Sequence, residues 1–288
     1  RVWRLETRGD YFLADLSKAT LRAIGKGRAP SSLMFAKFSP DGKSVAYVSE
    51  YNIYAEDVST GAVKALTQKG NRKWIFGTFD WAYEEEFFCR DGFRWSPDSR
   101  KIAFWQIDAR NTRDYLMLNA TDSIYPKAIP VEYPVSGESP SPARIGVVNV
   151  ATASTQWMNL PNDPLLNSYL PRMEWAAGSE EVIVQHLNRR QNQSTIFLCS
   201  ATSGNVRKLY EETDPAWIDI LPLWDNDYIY GGWDWLEGGK AFLWASEKDG
   251  WRHLYVVRKD NGKEMLVTKG EYDVMEIASV DELSLIHI

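Results

Sequence analysis

Short apolar runs broken by tight-turn residues recur along the whole chain. One unit reads apolar residue, Ser-Pro-Asp-Gly, Lys, apolar run. It appears as Phe38-Ser39-Pro40-Asp41-Gly42-Lys43 leading into Val45-Ala46-Tyr47-Val48, and again as Trp95-Ser96-Pro97-Asp98-Ser99-Arg100-Lys101 leading into Ile102-Ala103-Phe104-Trp105. Weaker copies start at Trp175-Ala176-Ala177-Gly178 and at Trp235-Leu236-Glu237-Gly238-Gly239. Each predicts a strand, a tight turn and a second strand, because Pro, Asp and Gly supply the backbone angles that a reversal needs. A second unit follows: Ile53 to Val58 with Thr60-Gly61, Ile145 to Val150, Ile196 to Ser200 with Ser203-Gly204, and Leu254 to Val257 with Asn261-Gly262. Tyr11 to Leu16 is an early partner without its first unit.

Two units together make four antiparallel strands, and such sheets repeated around an axis are propeller blades. The expected class is all-β: a partial β-propeller of about five four-stranded antiparallel blades, one of them incomplete, with the start of another near Tyr272 to Ala278. The many Trp residues fall at repeated positions and read as core. An open arc of blades leaves faces and edges exposed.

The stretch 71–94 and the Pro-, Tyr- and Ser-rich stretch 111–144 interrupt the pattern. Insertions of this kind carry function more often than strands do. The first holds Asp80-Trp81-Ala82-Tyr83-Glu84-Glu85-Glu86-Phe87-Phe88. Three adjacent carboxylates do not suit a strand. They suit a short helix capped by Asp80, with the Glu residues near the positive end of its dipole. Two Glu arms can converge on one primary ammonium, which carries three donors and no acceptor. A solvated acidic turn is the plainer reading. A second acidic pair, Glu211-Glu212, reads as a solvated loop.

The net charge of −6 argues against non-specific nucleic-acid binding. Two cysteines, Cys89 and Cys199, form neither a disulfide framework nor a metal cluster, and His186, His253 and His287 have no ligand-like spacing. No cofactor is implied. The chain begins Arg1-Val2-Trp3-Arg4 without Met and reads as the middle of something longer. Residues 283–288, Leu-Ser-Leu-Ile-His-Ile, fit no upstream pattern and read as a non-native tail after a domain spanning 1–282.

The residues then resemble the dipeptidyl peptidase IV family of serine peptidases. The acidic stretch is similar to that family's double-glutamate helix. Trp95-Ser96-Pro97-Asp98, the Tyr125-Pro126-Lys127…Tyr133-Pro134 connector, Arg189-Arg190-Gln191-Asn192 and Gly250-Trp251-Arg252-His253 follow in the family's order. The resemblance implies an eight-bladed propeller followed by an α/β-hydrolase domain that removes N-terminal dipeptides with Pro or Ala second. It implies that Glu85 and Glu86 bind the substrate's ammonium, that Glu84 is structural, and that Arg4 holds a substrate carbonyl. It puts peptide N-termini, the absent hydrolase domain and a second copy in a homodimer among the partners. One departure is Ile220-Leu221-Pro222, where some members carry an aromatic and an Arg. No Gly-x-Ser-x-Gly occurs, since Gly137-Glu138-Ser139-Pro140-Ser141 lacks the last Gly, so the chain alone is expected not to cleave peptides. The short connectors suggest a bacterial, periplasmic or secreted parent. A non-catalytic propeller that binds peptides or proteins is the competing reading.

Overall fold

The structure is a computed structural model that describes residues 7–161, 168–220, 233–277 and 280. Arg4 and the 283–288 stretch lie outside the described residues. The chain divides into two compact units, 1–155 and 156–288.

In the first unit, Leu33–Phe38, Ser44–Ser49, Asn52–Asp57 and Val63–Ala65 form one antiparallel sheet in chain order. Its second strand is covered on both faces, so Val45, Ala46, Tyr47 and Val48 are all buried and no alternation shows in the sequence. Both Ser-Pro-Asp turns close alike. The Ser39 hydroxyl donates to Asp41 Oδ1 at 2.7 Å and accepts the Ser44 amide at 3.0 Å. Ser96 repeats this with Asp98 at 2.6 Å and Lys101 at 2.9 Å. Each turn therefore satisfies its own polar groups, leaving the apolar runs to pack. The core assignment of the module Trp residues holds locally: Trp95 is buried, and its indole N–H donates to the Lys37 carbonyl at 3.2 Å.

The next sheet is built on the continuous strand Lys101–Asp108, and it contains the feature that matters for function. Two short strands pair with successive halves of that one strand. Trp74, Ile75 and Phe76 lie opposite Asp108, Ile107 and Gln106; Phe93, Arg94 and Trp95 lie opposite Phe104, Ala103 and Ile102. At the gap, Trp105 bonds to both sides: the Gly77 amide donates to its carbonyl, and its amide donates to the Gly92 carbonyl, each at 3.0 Å. The Gly92 amide closes on the Gly77 carbonyl at 3.0 Å. One strand is thus interrupted, and residues 78–91 are extruded through a pinch between two glycines. Gly77 has φ +72°, and a Cβ on Gly92 would stand 2.6 Å from the Gly77 carbonyl carbon, so both positions need glycine.

The second interruption is itself a regular element. Asp114–Asn119 and Lys127–Glu132 pair as a two-stranded ribbon with uninterrupted register from Asp114↔Glu132 to Asn119↔Lys127. Pro130 is tolerated because a ribbon leaves one edge of each strand without a partner. At its base, Arg72 makes a bidentate contact with Asp114 at 2.9 Å through each nitrogen and also meets Glu132.

Among the described residues the second unit holds two four-stranded antiparallel sheets, Tyr169–Trp175 through Val206–Thr213 and Trp235–Leu236 through Glu264–Leu266. Ile183, Ile196, Phe242 and Val257 are central to its core. The Trp235 indole donates to the Trp175 carbonyl at 3.2 Å, as Trp95 does to Lys37. Two expectations need correcting here. Among the described residues, 272–277 form no strand: Val274 and Ile277 cluster with Leu243 and Leu254, and the Val274 amide donates to the Arg252 carbonyl at 2.8 Å; Ala278 lies outside the described residues. Glu211 and Glu212 lie in the strand Val206–Thr213, not in a loop. Glu212 is half-buried and accepts from the Ser246 hydroxyl at 2.8 Å, and burial raises its carboxyl above the usual range.

Gly92→Ala should destabilise the fold by about 3 kcal/mol, because the added methyl meets backbone that cannot rotate away. Urea denaturation checks this. An unshifted midpoint would mean that the two glycines are not pinched together.

Candidate functional site

The extruded segment folds as one short helix, Trp81–Phe87. Asp80 stands just before it with extended backbone, and its Oδ1 accepts the Tyr83 amide at 3.1 Å. This is the N-cap that the sequence predicts. Asp80 is buried, and burial raises its carboxyl above the ordinary range even though the Tyr83 amide favours the charged form. The far end closes at Phe88, whose φ of +56° reverses the chain, and the Cys89 amide returns to the Tyr83 carbonyl at 3.1 Å.

Aromatic packing fixes the helix on its sheet. Tyr83 stacks on Phe79 at 5.7 Å and meets the edge of Phe87 at 5.3 Å; Phe79 in turn meets Trp105 at 5.2 Å. Trp105 is the residue at which the strand breaks, so the same side chain supports the helix that its backbone lets out. Trp81 packs on Tyr133 at 4.2 Å, at the base of the ribbon. These are stacked, edge or tilted pairs, each with a modest favourable geometry beyond the area it buries.

The three glutamates have three different environments, since successive side chains on a helix diverge by about 100°. Glu84 points inward and is 6% exposed. Its Oε1 meets Arg90 Nε at 3.3 Å, and both side chains are buried. Burial nevertheless raises the Glu84 carboxyl, with Arg90 opposing and the Glu85 charge adding to the rise. Glu85 is half-buried and Glu86 is exposed. The pair singled out from sequence therefore stands on the accessible side of a helix held at both ends. Arg4, the third expected site residue, lies outside the described residues.

Sequence reasoning passed over Arg90. The only signal is a basic residue six positions after Glu84, beyond a helix end, and no helical spacing links the two. Cys89 and Cys199 are buried and form no disulfide. His253 Nδ1 sits 2.8 Å from Asp249 Oδ2 within the second unit. Among the described residues, no cluster of His, Cys, Asp or Glu is placed to hold a metal, and no helix is long and apolar enough to cross a membrane.

Comparison with known proteins decides the lineage. Residues 1–285 match the family described as Dipeptidyl peptidase IV (DPP IV) N-terminal region. The chain belongs to this family. It is 27% identical over 282 residues to dipeptidyl peptidase 4 of Trichophyton rubrum, covering 94% of this chain and 35% of that protein. It is 28% identical over 268 residues to the inactive dipeptidyl peptidase 10 of Mus musculus, covering 88% of this chain and 32% of that protein. The crystal structure of Porphyromonas gingivalis dipeptidyl peptidase 4 superposes with a TM-score of 0.83 at 28% identity, covering 95% of this chain and 38% of that one. The chain thus spans about a third of the length of the relatives it matches. The family placement and this structural likeness support the all-β, propeller class read from the repeats.

Asp80→Asn keeps the cap, because an amide oxygen can accept the same bond. The folded carboxyl titrates above its unfolded value of about 3.9, so the native state binds the extra proton and wild-type stability falls as pH rises through that window. The Asn variant has no such loss. Its stability relative to wild type should improve from pH 4 to pH 7, as read by denaturation at each pH. A constant difference would show that Asp80 is not desolvated.

Proposed function

We propose that this chain is the substrate-anchoring propeller part of a serine-type dipeptidyl peptidase, which releases dipeptides from peptide N-termini with Pro or Ala second. The observation that carries this is the pair Glu85 and Glu86, adjacent on the accessible side of a helix whose other face is locked by aromatic packing and a buried ion pair. A clamp of this kind needs two carboxylates that do not move when the ligand arrives, since ordering flexible arms would cost affinity.

The mechanism is positional. The substrate ammonium donates to Glu85 and Glu86, and charge-assisted bonds of this sort are the strong ones. Fixing the amino end fixes how far the peptide enters, so the bond after the second residue falls at the nucleophile, and N-terminally longer or blocked peptides are turned away. Orientation can contribute several kcal/mol to lowering a barrier. Arg4 is assigned to the substrate carbonyl by resemblance. The nucleophile, its His and its acid belong to the hydrolase domain of the parent polypeptide, and this region by itself is expected to be inactive. A homodimer remains an expectation from the family.

A non-catalytic, peptide-binding propeller is the second reading, and one observation favours keeping it. A relative named inactive matches this region as well as a relative named dipeptidyl peptidase 4 does, at 28% against 27% identity. Propeller likeness alone therefore does not separate the two.

The test is steady-state kinetics of the full-length protein on a dipeptidyl chromogenic substrate. Glu85→Ala and Glu86→Ala should each lower kcat/KM by about 100-fold, the loss of one charged hydrogen-bond partner being about 3 kcal/mol. N-acetylation of the substrate should abolish turnover. Unchanged kinetics in both variants would remove the anchor assignment, and absence of any turnover in the wild type would favour the binding reading.

A further inference from the structure

The acidic triplet poses a problem that its own residues do not solve. Glu84, Glu85 and Glu86 are chemically identical and consecutive, so side-chain identity does not tell the helix which of them to bury. A rotation by one residue, about 100°, would exchange an inward carboxylate for an accessible one. The apolar residues Ala82, Tyr83 and Phe87 choose a face, but Glu84 lies on that face as well, buried and next to a like charge. A buried carboxylate left alone takes up a proton or turns out to water. Turning out would carry the helix with it.

Arg90 removes that choice. Its guanidinium meets Glu84 Oε1 at 3.3 Å, with both side chains 7% exposed. The arginine reaches this spot because Phe88 reverses the chain beyond the helix. Its backbone is held on both sides: the Thr78 hydroxyl donates to the Arg90 carbonyl at 3.2 Å, and two residues on Gly92 is bonded into the pinch. The counter-charge is therefore anchored to the sheet, not to the helix that it orients.

We infer that Arg90 is a positioning residue for the ammonium clamp: by holding Glu84 inward from a fixed point on the sheet, it sets the helix rotation at which Glu85 and Glu86 face one cation. This rests on the reading of Glu85 and Glu86 given above. Arg90 acts through Glu84 and does not touch the substrate. Its loss should therefore weaken capture of the ammonium without changing the chemistry of the captured peptide.

The experiment measures KM and kcat of the full-length protein on an unblocked dipeptidyl chromogenic substrate, with kcat expressed per folded molecule. Arg90→Met should raise KM about tenfold while kcat stays within about twofold, the pattern of lost uniform binding. Arg90→Lys, which restores the charge, should recover most of that KM. The double variant Glu84→Gln/Arg90→Met leaves no buried charge in need of a partner, and its KM should return to within about threefold of wild type. A purely structural role would lower the folded fraction and leave KM alone. KM unchanged in Arg90→Met while Glu85→Ala raises it would overturn the positioning role and leave the clamp standing. KM still raised tenfold in the double variant would also overturn it, since Arg90 would then be acting on the substrate and not through Glu84. If Arg90→Met alone does not fold, the double variant decides by the same criterion. Unchanged kcat/KM in both Glu85→Ala and Glu86→Ala would instead remove the clamp itself.

Discussion

Everything at the candidate site depends on a break in one strand. Trp105 has hydrogen-bonding groups for one partner strand, yet it bonds to Gly77 on one side of a gap and to Gly92 on the other. The sheet loses no ladder bonds at that point, because the two glycines occupy the place of one residue. The intervening residues 78–91 are exported at little cost in hydrogen bonding and return in register. Without that pinch the helix would have to leave from a turn at the sheet's end, where neither its distance from the sheet nor its rotation would be set so tightly.

The polar and apolar parts of the exported segment then divide the work. Phe79, Tyr83 and Phe87 form an aromatic stack rooted on Trp105. Asp80 closes one end, and the left-handed Phe88 closes the other. These are short-range devices, each supplying about 1 kcal/mol. Together they make a helix of two turns stable where an isolated peptide of this length would not be. The buried Glu84–Arg90 pair is a costlier device. Burial works against both charges, and the pair is better understood as specifying one arrangement than as adding stability.

The ribbon is the other departure from a plain sheet. Its strands carry Tyr115, Leu116, Met117, Leu118 and Ile129 exposed, on both faces. A two-stranded ribbon is marginal in water by itself. Here its base is tied to the sheet by Arg72 through Asp114 and Glu132, and Tyr133 joins it to Trp81 at the start of the helix. The two interruptions of the repeat are thus packed together, although they are separated in sequence.

How much of this was legible follows from the range of each interaction. The strand–turn–strand units could be read because the Ser-Pro-Asp turns close on themselves through contacts of two to five residues, as with Ser39, Asp41 and Ser44. The helix and its Asp80 cap could be read for the same reason. The strand break could not: Trp74–Phe76 and Phe93–Trp95 are a single strand only by virtue of pairing with Lys101–Asp108. The ribbon could not be read because its register is set across seven or more residues of intervening chain. Glu212 was misread because its partner Ser246 is 34 positions away. Arg90 was passed over because it meets Glu84 only after the chain has reversed at Phe88. The sequence by itself determined the repeats, their turns and the chemistry that the acidic helix offers. Tertiary structure alone decided that the helix leaves through a break in one strand and that Arg90 comes to lie on Glu84, since the first depends on pairing with Lys101–Asp108 and the second on the reversal at Phe88.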